Sequence, residues 1–271
     1  MAAITRKFSK LLRGLSLLMK QPALLNTLID QEEVHEQIVR NQLGLKDGFP
    51  EADYFELFSE EKEEVVPFAF LDGGSLPTDL ALLKILAKKI QAKTYFEIGT
   101  WRGESVSNVA TEVEQCYTLN LSSDQMRARN WADDYIALHG HYSKKFSNIQ
   151  HLFGDSREFD FSPYEGKMDL VFVDGDHHYD SVVEDTRTAF KLIRPGGIIV
   201  WHDYGHSPEQ IRWNVAHAIF EGTPAEKRKD LLAISNSLCA AYLPMNVSRR
   251  VRHYPRKPEN SFHITLSSVR S

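Results

Sequence analysis

The chain has 271 residues, a formal net charge of -5, 42% hydrophobic and 25% charged residues. That composition excludes disorder as the main state, and a chain of this length buries roughly 70 to 75% of the surface it exposes when unfolded, enough for one large core with an appendage or for two small domains. The acidic balance argues against a protein built to coat nucleic acid. Only Cys116 and Cys239 are present, both in apolar surroundings. They read as buried, reduced thiols rather than a disulfide or zinc framework, which favours a cytoplasmic location.

In KFSKLLRGLSLLMK the residues Phe8, Leu11, Leu12, Leu15 and Leu18 recur at helical spacing, and every charged residue before Asp30 is basic. This predicts a basic amphipathic helix. Docking on the rest of the protein, or on a second subunit of a homodimer, is favoured over weak contact with an anionic inner membrane surface, because one such helix binds lipid only marginally. The apolar stretch LSLLM is too short for a signal peptide, and no uncharged run is long enough to span a membrane. A second helical pattern runs from Leu24 to Leu43 and ends at Gly44, followed by an irregular acidic stretch through FPEADYFELFSEEKEEVVPF. Residues 1–70 therefore form a helical extension, a candidate substrate lid or oligomerisation element.

From residue 71 the pattern changes. Helical spacing in TDLALLKILAKKIQA gives way to the β-rich TYFEIG, then the helix SVSNVATEVEQ and the strand CYTLNL. IQHLFGD, MDLVFVDGD, the helix SVVEDTRTAFKLI, the turn RPGG and the apolar IIVWHDY follow. Continuous apolar strands alternating with helices indicate a parallel sheet covered on both faces. EQIRWNVAHAIFEG, LLAISNSLCAAYL and the terminal FHITLSSV add one helix and two strands, so residues 71–271 are expected to form a doubly wound α/β domain, mostly parallel and seven-stranded. The basic stretch SRRVRHYPRKP could contact nucleic acid or an acidic glycan, but a solvated loop between the last two strands is the preferred reading.

Open α/β sheets bind ligands at the carboxyl ends of their strands. The first such end is Glu97, Ile98, Gly99, Thr100, Trp101, Arg102, Gly103, Glu104, Ser105. It lacks the G-x-G-x-x-G of a dinucleotide-binding turn, which counts against a nicotinamide-dependent oxidoreductase. The spacing E-x-G-x-x-x-G instead resembles the first motif of class I S-adenosylmethionine-dependent methyltransferases. GDS at Gly154–Ser156, VFVDGDHHYDSV at Val171–Val182 and RPGGIIVWHDY at Arg194–Tyr204 extend the resemblance over residues 71–271, toward a subgroup that methylates hydroxyls of sugars and natural products. A non-catalytic binding protein that kept this fold is the other alternative.

The resemblance implies S-adenosylmethionine as cofactor and a Rossmann-like methyltransferase sheet. It places Glu97, Gly99 and Gly103 at the amino-acid end of the cofactor, with Thr100, Trp101, Arg102 and Ser105 in the same turn, and Asp155 and Ser156 near adenine. Members usually carry an acid at the end of the second strand to bind the ribose hydroxyls. Asn120 stands there in this chain, with Asp124 as a nearby substitute.

Methylating a hydroxyl needs a general base or a metal ion. In metal-dependent relatives, resembling catechol and macrolide-sugar O-methyltransferases, the ligand positions fall on Asp174, His202 and Asp203, and Asp174 also borders the cofactor. His202 replaces a carboxylate of that pattern, which turns preference from magnesium toward manganese, iron or zinc, or toward no metal. Without metal, His202 is the natural base, oriented by Asp174 or Asp203, and His177 or His178 could serve instead. A saccharide or small-molecule hydroxyl is the expected acceptor.

Overall fold

The computed structural model describes residues 2–20, 32–58, 62–71, 73–251, 255 and 257–268. Helices α1 (Ala2–Lys20) and α2 (Glu32–Gln37), a π-helical turn at Ile38–Gln42, strand β1 (Glu51–Ala52) and helix α3 (Tyr54–Leu57) come first. Then follow α4 (Pro77–Lys89), β2 (Thr94–Ile98), α5 (Glu104–Val109), β3 (Gln115–Asn120), α6 (Ser123–Ala128), α7 (Asp133–Ala137) and β4 (Ile149–Phe153). The rest comprises β5 (Met168–Val173), α8 (Tyr179–Leu192), β6 (Ile193–Trp201), the pair β7 (Gly205–Ser207) and β8 (Gln210–Ile211), α9 (Trp213–Gly222), β9 (Leu231–Ile234) and β10 (Ala240–Tyr242).

The main sheet runs β1-β9-β10-β6-β5-β2-β3-β4. β10 is antiparallel to both neighbours, and every other pair is parallel. Along β5, Leu170 and Phe172 point into one core with Leu82, Leu83 and Leu86 of α4, while Val171 and Val173 point into a second core with Val182 and Val183 of α8. Period-two alternation therefore serves both faces, and all six residues of β5 are buried. Each such aliphatic or aromatic side chain contributes roughly 1.5 to 3 kcal/mol on burial. Cys116 and Cys239 are buried free thiols.

The sheet has eight strands rather than seven. The added strand, β1, comes from within residues 1–70, and two residues are too few to show any periodicity. LLAISNSLCAAYL supplies both β9 and β10 as a hairpin that turns at Asn236, where φ is +58°. The terminal FHITLSSV is not a strand: residues 261–268 have no regular structure, because the adjacent sheet edge is occupied by β1 and, outside it, by Arg250, which exchanges two 2.8 Å backbone hydrogen bonds with Glu51. RPGG is not a separate turn but the irregular start of β6. The basic stretch lies beyond the last strand, and residues 252–254 and 256 of it fall outside the described residues. Arg249 pairs with Asp230 at 3.0 Å and Arg250 with Asp53 at 2.8 Å, so two of its charges bind the body of the protein. The part of the second helical pattern at residues 24–31 also lies outside the description.

Asp169 fastens the amino ends of three strands. Its Oδ2 accepts from the Lys93 and Thr94 amides at 2.8 and 2.9 Å and from the Thr94 hydroxyl at 2.9 Å, and its Oδ1 pairs with Arg194. Burial pushes its carboxyl up, but these donors outweigh burial and hold it below the ordinary value. The ionised carboxylate thus stabilises the fold above about pH 4, and that contribution fades as pH falls through the lowered folded-state value. Asp169→Ala should cost about 2 to 3 kcal/mol at neutral pH. Denaturant unfolding at about pH 7 and pH 3 should show the deficit shrinking in acid.

Candidate functional site

Strand order reverses between β2 and β5, since β2 pairs with β3 on one side and β5 on the other. A cleft of about 1060 Å³ opens at the carboxyl ends of these strands, as expected at a topological switch point. Gly99, Thr100, Trp101, Asn120, Asp155, Ser156, Asp174, His177, His202 and Asp203 all line it.

The turn after β2 is held by backbone conformation. Gly99 has φ +101°, and a Cβ there would lie 2.0 Å from the carbonyl oxygen of Asp174, so only glycine lets β2 close against β5. Gly103, at φ +81°, starts α5, and a Cβ would meet Ser143 Oγ at 2.3 Å. Trp101 also has positive φ, at +42°, and its ring lies 4.4 Å from Tyr135 and 5.0 Å from His139 on the cleft wall.

Glu97, Gly103 and Ser105 do not reach the cleft. Glu97 is fully buried and accepts from Tyr95 Oη at 2.8 Å and Thr118 Oγ1 at 2.9 Å, with the Ser105 hydroxyl as a further partner. Burial pushes its carboxyl up to about 8 against these donors. Thr118 in turn lies 2.6 Å from Thr100 Oγ1, so Glu97 braces the turn from beneath. Arg102 is buried against Glu104 at 3.2 Å rather than facing a ligand. Asp124 is exposed, pairs with Arg127 at 3.1 Å and is absent from the lining, whereas Asn120 lines the cleft.

At the β4 end of the cleft, Asp155 takes hydrogen bonds from Arg157 and Arg129, at 3.1 and 2.8 Å, and these hold its carboxyl far below the usual range. Beside it lies Asp185, which sequence reasoning missed. It sits on the inner side of α8 among Val182, Val183 and Thr186, bonded to the Ser156 hydroxyl, and burial pushes its carboxyl up to about 6. An acid inside the apolar stripe SVVEDTRTAF was the available signal.

At the other end stand Asp174, His202 and Asp203, each with a ligand-type atom within 4.8 Å of the others. His202 Nδ1 is 3.1 Å from Asp174 Oδ1 and 3.7 Å from Asp203 Oδ2. Its Nε2 is 3.2 Å from Asp79 Oδ2 in the first turn of α4. Asp79, also missed, has no exposed surface and accepts from the Leu76 and Leu238 amides at 2.7 and 2.8 Å. Burial alone would lower the His202 pKa, but the Asp174, Asp203 and Asp79 carboxylates raise it well above the ordinary value. Both nitrogens of His202 thus face carboxylates, which fixes the orientation of its ring. The same donor set fits a divalent ion once Nδ1 gives up its proton: two carboxylates and the Nδ1 lone pair then face one point, and Asp79 accepts from the far nitrogen, the usual second partner of a ligating histidine. Imidazole in the set suits manganese, iron or zinc better than magnesium.

His177 is an exposed imidazole at the cleft rim, its backbone carbonyl accepting from Asn214 Nδ2 at 3.0 Å. His178 turns instead to Asp176, which its Nδ1 contacts through a short hydrogen bond. Arg212 lies 3.5 Å from Asp203 and also lines the cleft.

Residues 96–204, from β2 to just past β6, match a family model described as a methyltransferase domain, and this stretch holds both ends of the cleft. The chain is 28% identical over 127 residues to an uncharacterized protein of Acanthamoeba polyphaga mimivirus, a match covering 45% of this chain and 54% of that protein. It thus spans about half the length of the curated relative it matches. Among solved structures, it resembles an O-methyltransferase of Streptomyces achromogenes involved in tomaymycin synthesis, with 20% identity, TM-score 0.42 and coverage of 70% of this chain and 94% of that one. It also resembles a methyltransferase of Podospora anserina, with 18% identity, TM-score 0.43 and coverage of 69% and 83%.

Gly99→Ala combines positive φ with a backbone clash. It should destabilise the protein by about 3 kcal/mol or more, read as a lowered midpoint in urea unfolding.

Proposed function

We propose that the protein is an S-adenosylmethionine-dependent O-methyltransferase acting on a saccharide or small-molecule hydroxyl. The observation that carries this reading is the meeting, in one cleft, of the Gly99 turn with the Asp174, His202 and Asp203 cluster, inside the stretch that matches a methyltransferase domain.

The cofactor, when bound, supplies a sulfonium methyl group: the methyl–sulfur bond breaks, sulfur keeps its electron pair, and the acceptor oxygen forms the new bond. Gly99 and Thr100 leave open backbone at the turn, and the Trp101 ring walls it. Asn120 offers an amide oxygen to accept from one ribose hydroxyl and an N–H to donate. Asp155 and Ser156 border the adenine side. Asp174, His202 and Asp203 would hold a divalent ion, which lowers the pKa of an acceptor hydroxyl. Asp79 keeps the His202 ring aimed. His177, at the rim, is placed to take up the hydroxyl proton.

Titration calorimetry with S-adenosylmethionine should show saturable binding, and none at about millimolar concentration would overturn the reading. Chelator-treated protein should lose turnover on sugar and small-molecule hydroxyl acceptors, followed by mass spectrometry as gain of one methyl, and should recover it with manganese more fully than with magnesium. Turnover unchanged by chelation would leave the imidazole of His177 as the activating group.

A second expectation concerns Asp79. In Asp79→Asn the His202 ring loses its anionic partner, and manganese affinity measured by calorimetry should fall roughly 10- to 100-fold. Cofactor affinity should stay near wild type, because Asp79 does not line the cleft.

A further inference from the structure

Helix α1 carries apolar side chains that stand open to solvent: Leu11 is 59% exposed, Leu15 50% and Met19 86%. With 3.6 residues per turn, Leu11, Leu15, Leu18 and Met19 fall on one arc of about 100°, while Lys10, Arg13 and Lys20 fall outside it. Leu11, Leu15 and Met19 do not make the docking on the rest of the chain expected for this helix, and the side chains of Phe8 and Leu12 lie outside the description. Five Lys or Arg and no Asp or Glu occur before Asp30. The remainder of the chain therefore has 27 of the 32 basic residues against all 37 acidic ones.

We infer that α1 binds the surface of an anionic lipid bilayer, lying in the interface with its leucine face toward the acyl chains. No helix of the described residues is long and apolar enough to cross a membrane, so the helix would lie on the bilayer. An apolar face alone gives marginal attachment, and stable attachment takes a second signal. The basic residues supply it, each contributing about 1 kcal/mol near an anionic surface, close to a fivefold change in partitioning. Pairing with α1 of a second copy would instead bring like charges together, and that penalty is absent at an anionic membrane.

The test is co-sedimentation of the full chain with phosphatidylcholine vesicles and with vesicles containing about 30% phosphatidylserine. The protein should partition at least about tenfold more strongly to the anionic vesicles and be released by about 0.5 M salt. Leu11→Asp with Leu15→Asp should abolish binding, and Lys10→Glu with Arg13→Glu should weaken it more than tenfold. Both pairs should keep the wild-type Tm, since all four side chains are exposed. Equal partitioning to both vesicle types would overturn the proposal. So would binding that survives the Leu11 and Leu15 changes, or a wild-type dimer in light scattering that those changes dissociate while vesicles take up neither form.

Discussion

The Asp79–His202–Asp174 arrangement joins three separate parts of the fold through one ring. Asp79 belongs to the first turn of α4, Asp174 follows β5 and His202 follows β6, with contacts of 3.2 and 3.1 Å on opposite nitrogens. The carboxylates of Asp174 and of the fully buried Asp79 would repel each other, and Asp79 would lose its hydration; the imidazolium between them offsets both effects. Asp79 is itself fixed by amides of Leu76 and Leu238, so the helix, the β9–β10 turn region and the sheet ends are locked in register around the ring. The cleft geometry follows from that lock, since Asp174 also supplies the carbonyl against which Gly99 closes.

The two ends of the cleft have opposite electrostatic character. Near β4, Asp155 is neutralised by Arg129 and Arg157, and Asp185 keeps its proton into mildly acidic solution through burial. Near β6, the carboxylates of Asp174 and Asp203 stand around one imidazole, with Arg212 beside Asp203. Strand order enforces this separation, because β3 and β4 lie on one side of β2, and β5 and β6 on the other.

Most of the central sheet is legible in the sequence because its strands are continuous apolar runs ended by glycine or aspartate, as in MDLVFVDGD. The strand-end residues Gly99, Asn120, Asp155, Asp174 and His202 are legible for the same reason: position after a buried strand assigns them to one edge. Glu97 shares that position in the sequence, but its side chain turns inward, where Tyr95 and Thr118 donate to it. Asp79 and Asp185 lie on helices, and their partners are distant in sequence, 123 residues away for Asp79 and His202. Around Asp185 the apolar stripe gives a local sign of burial, but nothing local marks Asp79 as an acid that a remote strand end will require. The same limit hid β1, whose two residues acquire meaning only beside β9.

β1 has a consequence for how the molecule meets its neighbours. A parallel sheet that ended on β9 would offer a row of unsatisfied amides and carbonyls, a template for another chain. β1 covers it with only two residues, and Arg250 closes the outer side of Glu51 through both of its backbone groups. Segments about 200 residues apart in sequence thus seal one margin of the sheet together. Among the described residues the opposite margin, β4, has no strand beyond it, and Phe153 is exposed there. Among the described residues the open margin of the sheet is therefore β4, next to the Asp155 end of the cleft, on the side away from the margin that the amino-terminal segment covers.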